Sequence, residues 1–291
     1  MSEKLISNFL VEPADVKAAG GFEISEDGVI TKYMGVETDV VIPQKISGIM
    51  VRAIGENAFY EKGLIRVVIP KSVTEIGEDA FAYNELTEVT IPSSVTEIGR
   101  SAFECNQLME LTIPNSVTKI GDYAFHDNQL TNVTIPASVT EIGEWVFADN
   151  KLTEIVIPNS VIKICDAAFW SNELTEVIIP NSVTEICGRA FIINRLMELI
   201  IPNSVTRIGA HTFTHNQLKK LTIPDSVAEI GKGAFENNQL NSITIGEKVS
   251  LPRKGKHPDP AFDNGFDDFY KSNKKKGGTY LFDGKNWTVK E

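Results

Sequence analysis

Four kinds of side chain in this sequence are capable of chemistry: four histidines, three cysteines, a recurring serine and many carboxylates. The histidines are His126, His211, His215 and His257, and only His211 and His215 lie close together, in HTFTH. A metal centre needs several ligands at set spacings, and no Cys or Glu motif stands beside that pair, so the histidines read as solvated surface. Serines recur at Ser72, Ser94, Ser116, Ser138, Ser160, Ser182, Ser204 and Ser226. A nucleophile is singular and sits beside a base, whereas a residue repeated at equal steps is a turn former. The carboxylates likewise make a regular column and not the isolated pair that divides acid from base work. The lysine-glycine runs around Gly231 and Gly277 lack the spacing and the strand-to-helix setting of a phosphate loop. No catalytic residue, metal or cofactor is expected, and the chain does not read as an enzyme.

Cys165 and Cys187 are 22 residues apart. If that interval is a structural period, stacking sets their backbones about 4.8 Å apart, within reach of a disulfide. Parallel side-chain directions leave the Cβ atoms wider than the roughly 3.8 Å a disulfide favours, which points to two reduced thiols. With Cys105 the count is three, too few and too odd for a disulfide framework.

The interval is indeed a period. Phe recurs at Phe59, Phe81, Phe103, Phe125, Phe147, Phe169, Phe191, Phe213 and Phe235, always 22 apart. Pro70 to Pro224 and Asn84 to Asn238 keep the same step, and the unit reads L-T-E-V-T-I-P-N-S-V-T-E-I-G-x-x-A-F-x-x-N-Q. Within it, Leu86, Val89 and Ile91 fit a short strand with Val89 and Ile91 on one face. Pro92 ends that strand, and the polar pair after it supplies a turn. Val95 and Ile98 begin a second extended piece, Gly99 permits a backbone turn, and Ala102 and Phe103 point inward. One unit cannot bury these groups alone, but stacked copies cover one another in a solenoid that needs end caps. The repeating Asn reads as a buried amide ladder serving backbone groups of adjacent turns.

The ends depart from the period. Pro43 to Pro70 and Phe235 to Phe262 each span 27 residues, so both terminal units carry an insertion. FDDFYKSN suggests a short amphipathic helix, TYLF-DG-KNWTV a hairpin with a DG turn, and Phe266, Phe269, Tyr280 and Trp287 a lid on the last core layer. The expected division is an amino-terminal segment and cap hairpin over 1–36, a solenoid over 37–262 and a carboxy-terminal cap over 263–291.

The shared wording I-P-x-S-V-T-x-I-G-x-x-A-F resembles the BspA-like class of bacterial leucine-rich repeats over about residues 37–262. The lead-in FEISEDGVITKYMG is similar to that class's amino-terminal cap. The resemblance implies a right-handed, β-rich leucine-rich repeat solenoid with short parallel strands and irregular or short helical convex segments. It also implies a cell-surface or secreted protein that adheres to host proteins or other cells. The opening MSEKLISNFLVEPADVKAAGG has no apolar secretion core, and no stretch reaches the roughly 18 apolar residues of a membrane span.

The 291 residues carry a net charge of -11, with ten Lys+Arg against seven Asp+Glu in residues 247–291 and an acidic remainder. That balance argues against a nucleic-acid groove, which needs clustered cations. Lys254, Lys256, Lys274, Lys275 and Lys276 read as solvated residues around the cap.

Residues at equal phase share one surface of a solenoid. The first outward column runs Arg66, Glu88, Glu110, Asn132, Glu154, Glu176, Glu198, Lys220 and Ser242. The next runs Val68, Thr90, Thr112, Thr134, Val156, Ile178, Ile200, Thr222 and Thr244, so three adjacent units exchange Thr for an aliphatic group. Val156, Ile178 and Ile200, bordered by Glu154, Glu176 and Glu198, are the expected binding strip for a basic, partly apolar protein. The competing reading is that Val and Ile simply favour strands. Ile162, Trp170, Ile192 and Ile193 in the same units form a secondary apolar group. The expected function is a protein-binding, adhesin-like module, with an intracellular scaffolding solenoid as the alternative.

Overall fold

Each unit makes two strands because it holds two short extended runs separated by proline. In one unit Glu110–Thr112 forms the first strand, Pro114 stops it, and Lys119–Ile120 forms the second. The computed structural model describes residues 21–252 and 260–290. Across units, strands pair in parallel at an offset of one repeat: Leu111 opposite Val133, and Ile98 opposite Ile120. The first ladder passes through Val40, Val67 and Val89, then Leu111 and Val133, the single bridge Val156–Ile178, and finally Leu199, Leu221 and Ile243. The second carries Ile30, Ile54, Ile76, Ile98 and Ile120, and then Ile142 to Ile230.

The third side of each turn has no helix in the described repeats; it is built from turns that also bond between units. Phe103 N donates to Ala124 O at 2.9 Å, and Phe147 N to Ala168 O at 3.0 Å. Two residues per unit take left-handed backbone there, among them Tyr123 and Asp127 (φ 61° and 51°), Trp145 and Asp149 (57° and 50°), and the β-branched Ile193 (55°). The repeat glycine is not one of them. A Cβ on Gly99 would sit 2.5 Å from the Gly77 carbonyl carbon, so glycine is required by close approach of the previous turn and not by a special turn conformation.

Two columns fill the interior. The Phe rings from Phe59 to Phe262 stack with centroids 5.0 to 5.8 Å apart, and all are buried. Beside them each repeating Asn binds backbone of two turns. Asn150 Oδ1 accepts from Leu130 N at 3.0 Å, while Nδ2 donates to Phe125 O at 3.0 Å, Ala148 O at 3.0 Å and Phe147 O at 3.3 Å. The repeated Ser also bonds across turns in several units, as Ser94 Oγ does to Val73 O at 2.6 Å.

The ends close differently. An antiparallel hairpin, Phe22–Ile24 with Val29–Tyr33, joins the start of the second ladder and lays the Tyr33 ring on Phe59 at 5.2 Å. The first 27-residue unit uses its extra length for a small hairpin, Lys45–Ile46 with Ile49–Met50, turning through left-handed Ser47 and Gly48. At the far end the helix Phe266–Ser272 sets Phe266 against Phe262 at 5.1 Å and Trp287 at 4.8 Å. A hairpin, Gly278–Phe282 with Trp287–Val289, pairs antiparallel with Ser242–Ile245 and ends the first ladder. Asp267 is buried under this cap and accepts from Ala261 N and Phe262 N at 3.1 and 3.0 Å.

The amide geometry yields a test that separates the ladder from simple filling. Asn150→Asp at neutral pH points a carboxylate oxygen at three carbonyls, so it should cost about 3 kcal/mol or more and exceed the cost of Asn150→Ala. The gap between the two should narrow in acid as the carboxyl gains a donor. Urea unfolding at pH 7.5 and 4.5 measures both effects; equal stability of the two variants at pH 7.5 would remove the donor role.

Candidate interaction surface

The first ladder alternates inward and outward residues, and this places the apolar strip. Ile155, Val177 and Leu199 point into the core, whereas Val156, Ile178 and Ile200 are 80%, 76% and 72% exposed. Val156 and Ile178 stand opposite each other across a parallel bridge, and Ile200 occupies the same phase opposite Thr222. Glu154, Glu176 and Glu198 are exposed beside them. Glu198 meets Lys220 Nζ at 2.9 Å, but among the described residues neither Glu154 nor Glu176 has a cation at ion-pair distance. Met197, also exposed, adds apolar surface at the start of the third unit.

The second ladder handles its charges in the opposite way. Its outward column alternates from Glu97 onward, and the charges neutralise one another across turns. Lys119 lies 3.5 Å from Glu97; Lys163 lies 3.8 Å from Glu141 and 4.0 Å from Glu185; Arg207 lies 3.0 Å from Glu185 and 3.6 Å from Glu229. From Glu97 to Glu229 this face pairs its own charges, in contrast to Glu154 and Glu176 beside the apolar strip.

The secondary apolar residues fall on two parts of the unit. Exposed Ile162 leads into the second ladder, in a column where Thr96, Thr118 and Thr206 each donate to a carbonyl of the preceding turn. Trp170, Ile192 and Ile193 lie on the third side, with Trp170 and Ile192 half-buried. Trp170 packs on Trp145 at 4.5 Å, and Trp145 stacks on Tyr123 at 5.8 Å, with Arg100 4.9 Å above the Tyr123 ring. Sequence reading by repeat phase missed Trp145.

His126 also differs from the expectation of a solvated histidine. Its ring stands edge-on to Tyr123 and Trp145, with Nδ1 3.0 Å from Glu104 Oε1 and Nε2 3.3 Å from Asp149 Oδ2. Three successive turns therefore meet at one imidazole. Burial, the largest influence, disfavours its charge, but Glu104 and Asp149 together outweigh burial and raise its pKa above the ordinary value. His211 is 3.8 Å from Glu236, His215 bonds Asn237, and His257 lies outside the described residues. Among the described residues no group of three or more His, Cys, Asp or Glu converges as a metal site. All three cysteines are free thiols. Lys274, Lys275 and Lys276 are exposed beyond the cap helix, and Lys254 and Lys256 lie outside the described residues. No helix among the described residues is long and apolar enough to cross a membrane.

Comparison with known proteins agrees with this architecture. The BspA type leucine rich repeat region matches in six copies, over residues 38–152 and 140–254. A leucine-rich repeat protein from Bacteroides ovatus is similar with a TM-score of 0.65 at 27% identity, over 76% of this chain and 65% of that one. The chain thus spans somewhat less than two thirds of that protein's length. A leucine rich cell surface protein from Faecalibacterium prausnitzii is similar with a TM-score of 0.58 at 30% identity, over 78% of this chain and 75% of that one. No curated protein matches the sequence.

The His126 cluster gives a pH dependence of definite sign. Because the folded ring has the raised pKa, its stabilisation is fully present below the unfolded value of about 6.5 and is lost as pH rises through the folded pKa. The parent should therefore exceed His126→Gln in stability most at pH 6 and progressively less toward pH 9. Denaturant unfolding across that range checks it, and a difference that grows with pH would reverse the assignment.

Proposed function

The chain belongs to the BspA-type leucine-rich repeat family, and we propose that it works as a non-catalytic protein-binding module whose contact face is the first ladder. One observation carries this reading: Val156, Ile178 and Ile200 stand largely exposed on three consecutive turns, beside Glu154 and Glu176, which have no cation at ion-pair distance among the described residues. Water gains by covering such a strip, and single-sign charge at its edge selects what covers it. The fitting partner is a protein surface with Lys or Arg around an apolar centre. The self-neutralised second ladder offers no comparable demand. Similarity to the F. prausnitzii cell surface protein supports an extracellular setting, and in that setting the proposed role is that of an adhesin.

A binding protein recovered from extracts of host or neighbouring-cell surfaces supplies the test. Val156, Ile178 and Ile200 all changed to Thr restores the residue of flanking units, so circular dichroism should match the parent. Loss of a contact centre worth about 2 kcal/mol should weaken binding roughly thirtyfold or more. Glu154→Gln with Glu176→Gln should mainly slow association and flatten its salt dependence. Unchanged affinity of the Thr variant would move recognition to another face.

A further inference from the structure

The second ladder contains one departure from its own pattern that protein binding does not use. Where Gly77, Gly99, Gly121, Gly143, Gly209 and Gly231 stand in other units, two consecutive units carry Cys165 and Cys187. The glycines are there because a Cβ would meet the preceding turn, at 2.4 Å for Gly121 and 2.3 Å for Gly209. The cysteines keep the same backbone bonds, Cys165 N to Ile142 O and Cys187 N to Ile164 O, each 2.9 Å. They directly follow the paired residues Ile164 and Ile186 and are therefore in register on adjacent turns.

Their surroundings are not those of an apolar core. Cys165 Sγ donates to Glu141 Oε1 at 2.7 Å, and Lys163 Nζ lies between Glu141 and Glu185 at 3.8 and 4.0 Å. Cys165 is buried and Cys187 half-buried, so the pair is reached from the Cys187 side. A linear sulphur-metal-sulphur unit spans two metal-sulphur bonds, a little less than the roughly 4.8 Å between strands. A disulfide asks for Cβ atoms about 3.8 Å apart, less than in-register parallel strands provide.

We propose that Cys165 and Cys187 form a two-coordinate thiolate site for a soft monovalent metal ion of the copper(I) type. Both thiols lose a proton as the ion binds, no electron is transferred, and the product carries one net negative charge. Glu141 is hydrogen-bonded to the Cys165 thiol and takes its proton on the way to solvent. Lys163 supplies the charge that offsets the bis-thiolate. Zinc is disfavoured because it seeks four ligands, and beside the two cysteines only Glu141 is at hand; among the described residues no three or more His, Cys, Asp or Glu are arranged to hold a metal ion.

The full chain, reduced and free of oxygen, is titrated with copper(I) held by the chromophoric chelator bicinchoninate. One copper(I) per chain should pass from chelator to protein, with thiolate-to-copper absorption in the near ultraviolet. Cys165→Gly and Cys187→Gly each restore the glycine of the other units; with unaltered circular dichroism, each should weaken retention at least about a hundredfold. Cys105→Ser should retain the metal as the parent does, and zinc(II) should not displace it. Failure of the parent to withdraw copper, equal retention by either glycine variant, loss of retention in Cys105→Ser, or displacement by zinc would each overturn the site.

Discussion

The structure depends on how the backbone of its third side is satisfied. That side has no regular strand, and its carbonyls lie next to a column of phenylalanine rings where water does not reach. The repeating Asn resolves this by donating to carbonyls of its own and the preceding turn while accepting from an amide of the preceding turn, as Asn128 does with Phe103 O, Phe125 O and Leu108 N. These bonds tie each turn to the one before at a fixed offset. The rings stack at the same offset, so polar and apolar interiors demand one period, and every other residue acquires its role from its phase.

Given that period, the faces divide the remaining work. The third side spends its polar groups internally, through turn-to-turn bonds and the Glu104–His126–Asp149 chain. The second ladder alternates acid and base every turn or two, and Lys119, Lys163 and Arg207 tie it into a self-contained surface. Among the described residues, only the first ladder sets a run of exposed aliphatic groups beside carboxylates, Glu154 and Glu176, with no counter-charge at ion-pair distance. Its inward residues cannot vary without opening the core, whereas its outward residues can, which is why recognition is proposed for that face.

Most of the fold was legible because stacking converts a linear interval into spatial neighbours. Phe147, Asn150 and Val156 could be placed from their spacing alone, with inward or outward direction following from strand alternation. The reading failed where contacts cross phases. Trp145 and Trp170 are 25 residues apart, and His126 and Asp149 are 23 apart, so columns read at 22 kept these partners separate. The glycine was misread for a different reason: close approach of two backbones leaves no local signal, and Gly99 looks like a turn glycine until the neighbouring turn is in place. The left-handed positions were hidden too, since residues as unlike as Trp145, Ala167, Arg189 and Ile193 occupy them. Tertiary bonding between turns outweighs the local preference of those side chains.

The claim that phase alone decides each residue's role is tested most directly by excision. Removing Gln107–Asn128 takes out one full turn and rejoins Asn106 to Gln129 in phase, so the solenoid closes on itself with one layer fewer. Removing only Gln107–Val117 leaves half a turn, with Ile120, Ala124 and Phe125 unable to stack. Denaturant unfolding should show the shorter chain cooperative and the longer one less stable by at least about 2 kcal/mol. A half-turn excision as stable as the full-turn excision would contradict the account.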